Sequence, residues 1–133
     1  MKQVLFILLV FISFQGFSQT QTVKLYQIRL EVMNYDLGEW DDFLKGRMKW
    51  QQAKTACENL GGGWRLPTIQ ELQGIYQFRY KLDDYQEGIY WSSTESDSDF
   101  YPGWNQALDF EDGSKENEPK QSFAYVRAVR TLK

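Results

Sequence analysis

The chain reads GGGWRLPTIQEL over residues 61–72, a stretch that places the end of one helix against the start of another. The glycine triplet favours a helix end, because glycine adopts the left-handed cap conformation without steric cost. Pro67 keeps the residue before it extended. Thr68 and Glu71 then form the pattern of a capping box. A helix is therefore predicted from about residue 69 to residue 79.

A first helix is predicted immediately before the glycines, because apolar or small residues recur there at helical spacing. They are Trp50, Ala53, Ala56, Cys57 and Leu60. The stretch before this helix, residues 34–46, is loop-like. Its larger apolar side chains, Trp40, Phe43 and Leu44, are expected to pack against the core.

Four segments have strand character. Residues 23–33 alternate apolar and polar side chains, which is typical of a half-buried strand. The others are residues 89–93, 104–110 and 123–130, and Asp112-Gly113 predicts a hairpin with a brief return strand. The order strand, helix, helix and then several strands predicts an α+β fold, with two helices segregated from a mostly antiparallel sheet.

The first residues have the composition of a signal peptide. Lys2 is followed by an uninterrupted apolar run over residues 4–12, which is shorter than the roughly 20 residues of a membrane span. Residues 1–18 are therefore predicted to be removed, which leaves one domain over residues 19–133. The alternative is a buried N-terminal strand. We expect an exported protein of the periplasm or the cell surface, without membrane insertion after cleavage.

The composition excludes several classes of chemistry. The 133 residues include no histidine and one cysteine, so catalytic triads with histidine, histidine-ligated zinc and an intrachain disulfide are not available. The net charge of −3 opposes nucleic-acid binding. We therefore expect no cofactor and no nucleic-acid partner. What remains is binding, or chemistry carried by carboxylates.

An ordered set of motifs resembles the Lcl C-terminal domain family, which takes its name from a bacterial collagen-like adhesin. The motifs are Trp50-x-x-Ala53-x-x-x-Cys57-x-x-Leu60, Gly63-Trp64-Arg65-Leu66-Pro67-Thr68 with Glu71-Leu72, Tyr90-Trp91-Ser92-Ser93-Thr94-Glu95 and Val126-Arg127-Ala128-Val129-Arg130. The resemblance runs from about residue 47 to the C-terminus. A related resemblance is to the paralogous surface-protein domain of fibre-degrading bacteria. The resemblance to the Lcl C-terminal domain family implies a C-type-lectin-like fold. Such a fold has paired terminal strands, two flanking helices and a loop-rich second half that presents the ligand surface.

One position departs from this family pattern. Members often carry a second cysteine in the final strand, where this chain has Ala128. The resemblance implies that a bridge would otherwise join this position to Cys57, so we expect the two residues to be close neighbours. Bridging needs Cα atoms roughly 4.4–6.8 Å apart. Cys57 itself is interpreted as a small core residue rather than a reactive thiol.

Three arginines and three tryptophans of these motifs have two interpretations each. Arg65, Arg127 and Arg130 could bind an anion, but pairing with internal carboxylates is favoured. Trp50, Trp64 and Trp91 could stack on a sugar, but a place in the core is favoured.

The best candidate binding surface consists of two loops, residues 94–105 and 111–121. The candidate ligand-binding residues are Asp97, Asp99, Phe100, Tyr101, Trp104, Asn105 and Lys115. The three aromatic residues either fold back onto the core or form a contact surface, because large apolar side chains are costly to expose. The carboxylates could ligate calcium, but the lectin motifs for sugar-bound calcium are degenerate here, so no metal site is predicted.

The first functional hypothesis is a secreted, non-catalytic binding or adhesion domain that recognises carbohydrate or protein through these loops. The sulfated polysaccharides linked to the related adhesin are not transferred, because this chain is acidic. One alternative is a structural subunit of a surface assembly, with self-association left open. Another is a carboxylate-dependent hydrolase, which would need a deep pocket with two converging carboxylates of raised pKa.

Overall fold

The computed structural model describes residues 4–15, 22–82 and 84–132, with side chains from residue 29 onward. The elements follow in the order β1 (Val4–Gln15), β2 (Thr22–Met33), α1 (Trp50–Glu58), α2 (Ile69–Gln77), a 3-10 turn (Arg79–Lys81), β3 (Ile89–Glu95), β4 (Asn105–Asp109), β5 (Lys115–Glu118) and β6 (Val129–Thr131). Two helices precede a run of antiparallel strands, so the α+β class is confirmed.

The strands form two antiparallel sheets of three strands each, rather than one. In the first sheet, β2 lies between β1 and β6, and residues 30–32 of β2 pair with residues 129–131 of β6. The predicted pairing of the domain's first and last strands is therefore present. In the second sheet β4 lies between β3 and β5. The predicted hairpin at Asp112-Gly113 joins β4 to β5, with Gly113 at a positive φ of 81°.

The capping box at the start of α2 forms as predicted and is extended by an arginine. The Glu71 carboxylate accepts the Thr68 N–H at 2.8 Å, and the Thr68 hydroxyl accepts the Glu71 N–H at 3.2 Å. Arg65 donates to both Glu71 oxygens, at 2.7 and 2.9 Å. Burial alone would raise the pKa of Glu71, but the bonds from Arg65 and Thr68 outweigh it and lower the pKa. Since Arg65 also exchanges both backbone bonds with Val129, α2 is fixed to the last strand.

Residues 124–128 cross from one sheet to the other, so the strand predicted over 123–130 is regular only at its end. Tyr125 donates its N–H to the carbonyl of the first residue of β3 at 2.8 Å. The Ala128 carbonyl accepts the N–H of the last residue of β2 at 2.9 Å. Most of this segment is buried, with Ala124, Val126, Arg127 and Ala128 exposed to 1% or less. Residues 124–128 form no regular strand because their backbone hydrogen-bond partners lie in two different sheets.

The core consists of two clusters of buried side chains. One joins α2 to both sheets, with Leu72, Ile75 and Tyr90 among its fully buried members. The other joins α1 to β3 and the crossing segment, and it includes Cys57 and Ala128. The core role of Cys57 is confirmed, and burial raises the pKa of its thiol to about 12. The bridging distance between Cys57 and Ala128 stays a prediction.

β1 pairs with β2 along its whole length, from Val4 opposite Met33 to Gln15 opposite Thr22. This strand overlaps the predicted signal peptide, residues 1–18, while the expected cut before Gln19 falls outside the described residues. Removal of the segment stays a prediction. Neither helix in the described ranges has the length and apolar character that crossing a bilayer requires.

The first prediction concerns the Arg65–Glu71–Thr68 network. Thr68→Ala should lower the free energy of unfolding by about 1 kcal/mol, because one cap bond is lost. Glu71→Ala should lower the free energy of unfolding by about 2 kcal/mol. This is less than the cost of breaking a fully buried ion pair, because Arg65 is partly solvated. Urea denaturation followed by circular dichroism measures both. Gln70→Ala, at an exposed position of the same helix, is the matched control and should change stability by less than about 0.5 kcal/mol. Equal effects at all three positions would contradict a role for the network.

The second prediction concerns position 128, where family members often carry the cysteine that would pair with Cys57. Ala128→Cys should form a disulfide with Cys57 on oxidation, and the closed loop should add about 4 kcal/mol of stability. Thiol titration in guanidinium should find no free thiol in the oxidised variant and two after reduction. Ala128→Ser controls for the larger side chain at this fully buried position. Two thiols that persist after oxidation would show that the residues are not in bridging geometry.

Candidate functional site

The loop between β3 and β4, residues 96–104 and here named the aromatic loop, is held by its own backbone bonds. The Ser96 N–H donates to the Trp104 carbonyl at 2.8 Å, which closes the loop at its base. Tyr101 donates its N–H to Ser98 at 3.1 Å, and the rings of Tyr101 and Trp104 lie 4.7 Å apart at an interplanar angle of 35°. Phe100 takes no part in this ring pair and is 88% exposed. The loop therefore folds two of its aromatics together and presents the third to solvent.

Three carboxylates precede Phe100 closely in the sequence. Asp97 and Asp99 are exposed, and Glu95 at the end of β3 is exposed as well. Within the described part of the chain, no three or more Asp, Glu or Cys side chains come together as a group that could hold a metal ion. This segment therefore presents an apolar ring and several carboxylates to solvent.

Two of the predicted site residues do not join this face. Asn105 is fully buried, and its side-chain amide donates to the Ser92 carbonyl at 3.2 Å, so it supports the base of the loop from inside. Lys115 is exposed, but it pairs with Leu108 at the far end of the β4–β5 ladder, three residues from the point where the loop enters β4. That separation is about 10 Å along the strand. Asp97, Asp99, Phe100, Tyr101 and Trp104 all lie on the aromatic loop, and among them the rings of Tyr101 and Trp104 are in contact.

The motif arginines pair internally, as predicted. Arg65 binds Glu71 at 2.7 Å, Arg127 binds Asp36 at 2.7 Å and Arg130 binds Glu31 at 2.5 Å. The charges of these three arginines are therefore paired with carboxylates inside the domain.

The motif tryptophans belong to the core or pack against it, which also confirms the prediction. Trp91 is fully buried and donates its indole N–H to the Met48 carbonyl at 2.7 Å. Trp50 and Trp64 pack on the second core cluster, and Trp50 donates its indole N–H to the Ser92 carbonyl at 2.9 Å.

Sequence reasoning missed a pocket of about 300 Å³, here named the Trp40 pocket. It is formed by the loop after β2 and the loop before β3. Its lining includes Asp36, Trp40, Lys45, Gly46, Asp84 and Gln86. Residues so distant along the chain show no local spacing that could have revealed them. The two glycines that interrupt the first loop, Gly38 and Gly46, were the available signal.

The expectation that Trp40 and Phe43 pack against the core was wrong. Trp40 is 63% exposed and Phe43 is 82% exposed. The reason is a tight turn, in which the Asp41 carboxylate accepts the N–H groups of Phe43 and Leu44 at 2.8 and 2.5 Å. This turn directs the Phe43 side chain outward, while Leu44 is half-buried.

A buried ionic chain lies behind the pocket. The Arg127 guanidinium is 1% exposed, and it donates to the Met33 carbonyl at 3.0 Å besides its pair with Asp36. The Tyr90 hydroxyl donates to the second Asp36 oxygen at 2.7 Å and accepts the Gln86 N–H at 2.7 Å. Both oxygens of Asp36 are therefore engaged.

Asp36 has an unusual acidity. Burial raises its pKa to about 6, against the opposing effects of Arg127 and Tyr90, and the nearby Asp84 adds a smaller increase. Burial also raises the pKa of Tyr90, so its hydroxyl keeps its proton and acts as a donor. A pocket with a carboxyl of raised pKa meets part of the requirement stated for a hydrolase. However, Asp84 is exposed and Asp36 has no free oxygen for a substrate.

The sequence pattern of the Lcl C-terminal domain family matches residues 28–130. The chain belongs to this family. The match begins within β2, so the family domain includes the strand that pairs with β6 as well as the motifs from residue 47 onward. Membership in the Lcl C-terminal domain family indicates a surface-associated domain. No curated protein matches the chain.

The third prediction is a pH dependence caused by Asp36. Its pKa is raised from 3.8 to about 6 in the folded protein, so between these values the folded state holds a proton that the unfolded state has lost. The contribution of this carboxyl to stability is therefore complete below pH 4, and it declines by up to about 3 kcal/mol as the pH rises through 6. Urea denaturation from pH 4 to pH 7 measures the slope.

Asp36→Asn is the matched control, because the amide keeps an oxygen acceptor and does not titrate. The stability of the unchanged protein should fall relative to Asp36→Asn as the pH rises, while Arg127, Tyr90 and Asp84 are present in both proteins. A relative gain instead would mean that the ion pair with Arg127 outweighs burial. Parallel profiles would show that the pKa is not shifted.

Proposed function

We propose that this domain is an exported, non-catalytic binding domain that recognises carbohydrate or protein through the aromatic loop. The observation that carries the proposal is Phe100, which is 88% exposed on a loop that is closed by its own hydrogen bonds. A bare aromatic ring on an ordered loop can stack on a ligand without a large cost in conformational entropy. Export rests on the predicted signal peptide, residues 1–18.

A C-type-lectin-like fold is part of the same proposal. Three features support it: β2 pairs with β6, two helices lie between them in sequence, and the loop-rich half follows β3. In such a fold the second half carries the ligand surface, as the family resemblance implies, and the aromatic loop belongs to this half.

The charges favour a neutral glycan or a basic partner over a sulfated polysaccharide. Glu95, Asp97 and Asp99 are exposed and lie within five residues of Phe100 in the sequence, so an anionic polymer would meet like charges there. Carboxylate oxygens accept hydrogen bonds from sugar hydroxyls, and an aromatic ring stacks on the apolar face of a sugar. Carbohydrate is therefore the favoured ligand class, and a basic protein is the alternative.

Two contacts support a non-catalytic role. The Ser92 hydroxyl in the motif after Trp91 is buried and donates to the Gln106 carbonyl at 2.5 Å, so it does not face solvent as a nucleophile would. The carboxyl with a raised pKa, Asp36, has both oxygens engaged by Arg127 and Tyr90. Each group that resembles a catalytic residue thus has a structural bond.

The fourth prediction tests this surface. On a glycan array with neutral and sulfated glycans, with and without calcium, the protein should bind neutral glycans preferentially. Phe100→Ala should weaken that binding about tenfold, as expected for the loss of one stacked aromatic ring. Its thermal midpoint should stay unchanged, because the side chain is exposed.

Phe43→Ala is the matched control, since Phe43 is 82% exposed on a different loop. This variant also deletes one exposed phenyl ring, and it should leave glycan binding intact. Equal losses in both variants would point to nonspecific hydrophobic binding. No binding to any glycan, together with capture by a basic protein that depends on Phe100, would replace carbohydrate with protein as the ligand. Unchanged binding in Phe100→Ala would remove the aromatic loop from the site.

A further inference from the structure

The Trp40 pocket is separate from the aromatic loop. Gln86 lies just before the first residue of β3, whereas the aromatic loop begins just after its last residue, Glu95. The seven residues of β3 place the two surfaces roughly 20 Å apart along the strand. They share no residue, so a ligand in the pocket would be bound independently of Phe100.

The size and the lining of the Trp40 pocket match a small ligand with one apolar face. The volume of about 300 Å³ lies at the lower end of the range for ligand sites, which suits a single ring. Trp40 supplies an aromatic surface that is 63% exposed. A Cβ built on Gly46 would lie 3.8 Å from carbon Cε3 of this indole, so one edge of the ring lies near Gly46 with room for a methyl group between them. Most of the ring is therefore accessible to a ligand.

Unusual backbone conformations are concentrated at this pocket. Lys45, with φ of 52°, and Asp84, with φ of 55°, are the only non-glycine residues at positive φ in the part of the chain that the structure describes. Both line the pocket, and they come from different loops. Such conformations are sparsely populated and tend to occur where a side chain must be aimed at a functional site.

The backbone that carries the polar groups of the pocket is held in place before any ligand arrives. Gln86 is fixed through its N–H, which the Tyr90 hydroxyl accepts at 2.7 Å, and Tyr90 is bonded in turn to Asp36. The turn that carries Lys45 is closed by the bond from its N–H to the Asp41 carbonyl at 3.1 Å. A preformed site loses little conformational entropy on binding.

The charges in the pocket sum to zero. Asp36 is neutralised by Arg127 behind it, and the remaining charged groups are Lys45 and Asp84, one of each sign. This balance gives no net attraction for an anion or a cation. It does offer donors and acceptors to a neutral ligand with several hydroxyl groups, namely the ammonium of Lys45, the carboxylate of Asp84 and the amide of Gln86.

From these observations we infer that the Trp40 pocket is a second binding site, which takes one neutral pyranose ring. The apolar face of the sugar lies on Trp40, and its hydroxyls bond with Lys45, Asp84 and Gln86. The site does not depend on the proposed role of the aromatic loop, because it shares no residue with that loop.

The fifth prediction is tested by nuclear magnetic resonance on the purified protein. Methyl glycosides of glucose, galactose, mannose and N-acetylglucosamine are titrated while two kinds of signal are followed. One is the indole N–H of Trp40, assigned through its loss in Trp40→Ala, and the other is the backbone N–H groups of Lys45, Asp84 and Gln86, which also report on binding to Trp40→Ala. At least one sugar should bind with Kd of about 1 mM, the affinity expected for a ligand of this size. Trp40→Ala and Asp84→Asn should each weaken binding about tenfold. Asparagine tolerates the positive φ of position 84, so the second variant removes only the charge.

Two control variants separate this site from the aromatic loop. Phe43→Ala alters an exposed residue of the same loop outside the pocket lining, and Phe100→Ala alters the aromatic loop. Both should bind the glycoside as the unchanged protein does. The inference is overturned if no sugar shifts the Trp40 signal at about 50 mM, roughly fifty times the expected Kd. It is also overturned if Trp40→Ala retains binding, or if glycine or another free amino acid binds in preference to every sugar.

Discussion

The buried charge of Arg127 constrains more of this fold than any other group in the described part of the chain. Its guanidinium is 1% exposed, so the protein must supply the acceptors that water would otherwise provide. The Met33 carbonyl and Asp36 do so. Because loss of one partner of a buried pair costs about 3–5 kcal/mol, the path of the chain after β2 is fixed by a residue 94 positions later.

The same charge determines the shape of the pocket. Asp36 must face Arg127, and its second oxygen then accepts the Tyr90 hydroxyl, which in turn accepts the Gln86 N–H. The two loops that form the pocket walls are therefore joined through one chain of hydrogen bonds, in which each bond polarises the next. Side chains at the mouth, such as Trp40 and Lys45, stay in contact with solvent and do not contribute to this chain. The pocket thus combines a rigid base with an accessible rim.

The sequence predicted best those features whose causes are local. The capping box at Thr68, the glycine stop after α1 and the Asp112-Gly113 hairpin each depend on residues a few positions apart, and each is present. Features with distant causes were not predictable in this way. The strand-like composition of residues 123–130 predicts an extended backbone, but it does not show that the backbone partners lie in two sheets. Likewise, the outward direction of Phe43 follows from the bonds of the Asp41 turn rather than from its apolar character.

The two candidate surfaces differ in how far binding can be separated from folding. The backbone bonds that close the aromatic loop lie within residues 96–104, and Phe100 belongs to neither core cluster. Substitution at its tip therefore changes the surface and leaves the fold unaffected. The pocket differs between its base and its rim, because Asp36 forms an ion pair with the buried Arg127 whereas Trp40 and Asp84 are exposed. Only the rim residues can report on a ligand, since any change at Asp36 alters the stability of the whole domain as well.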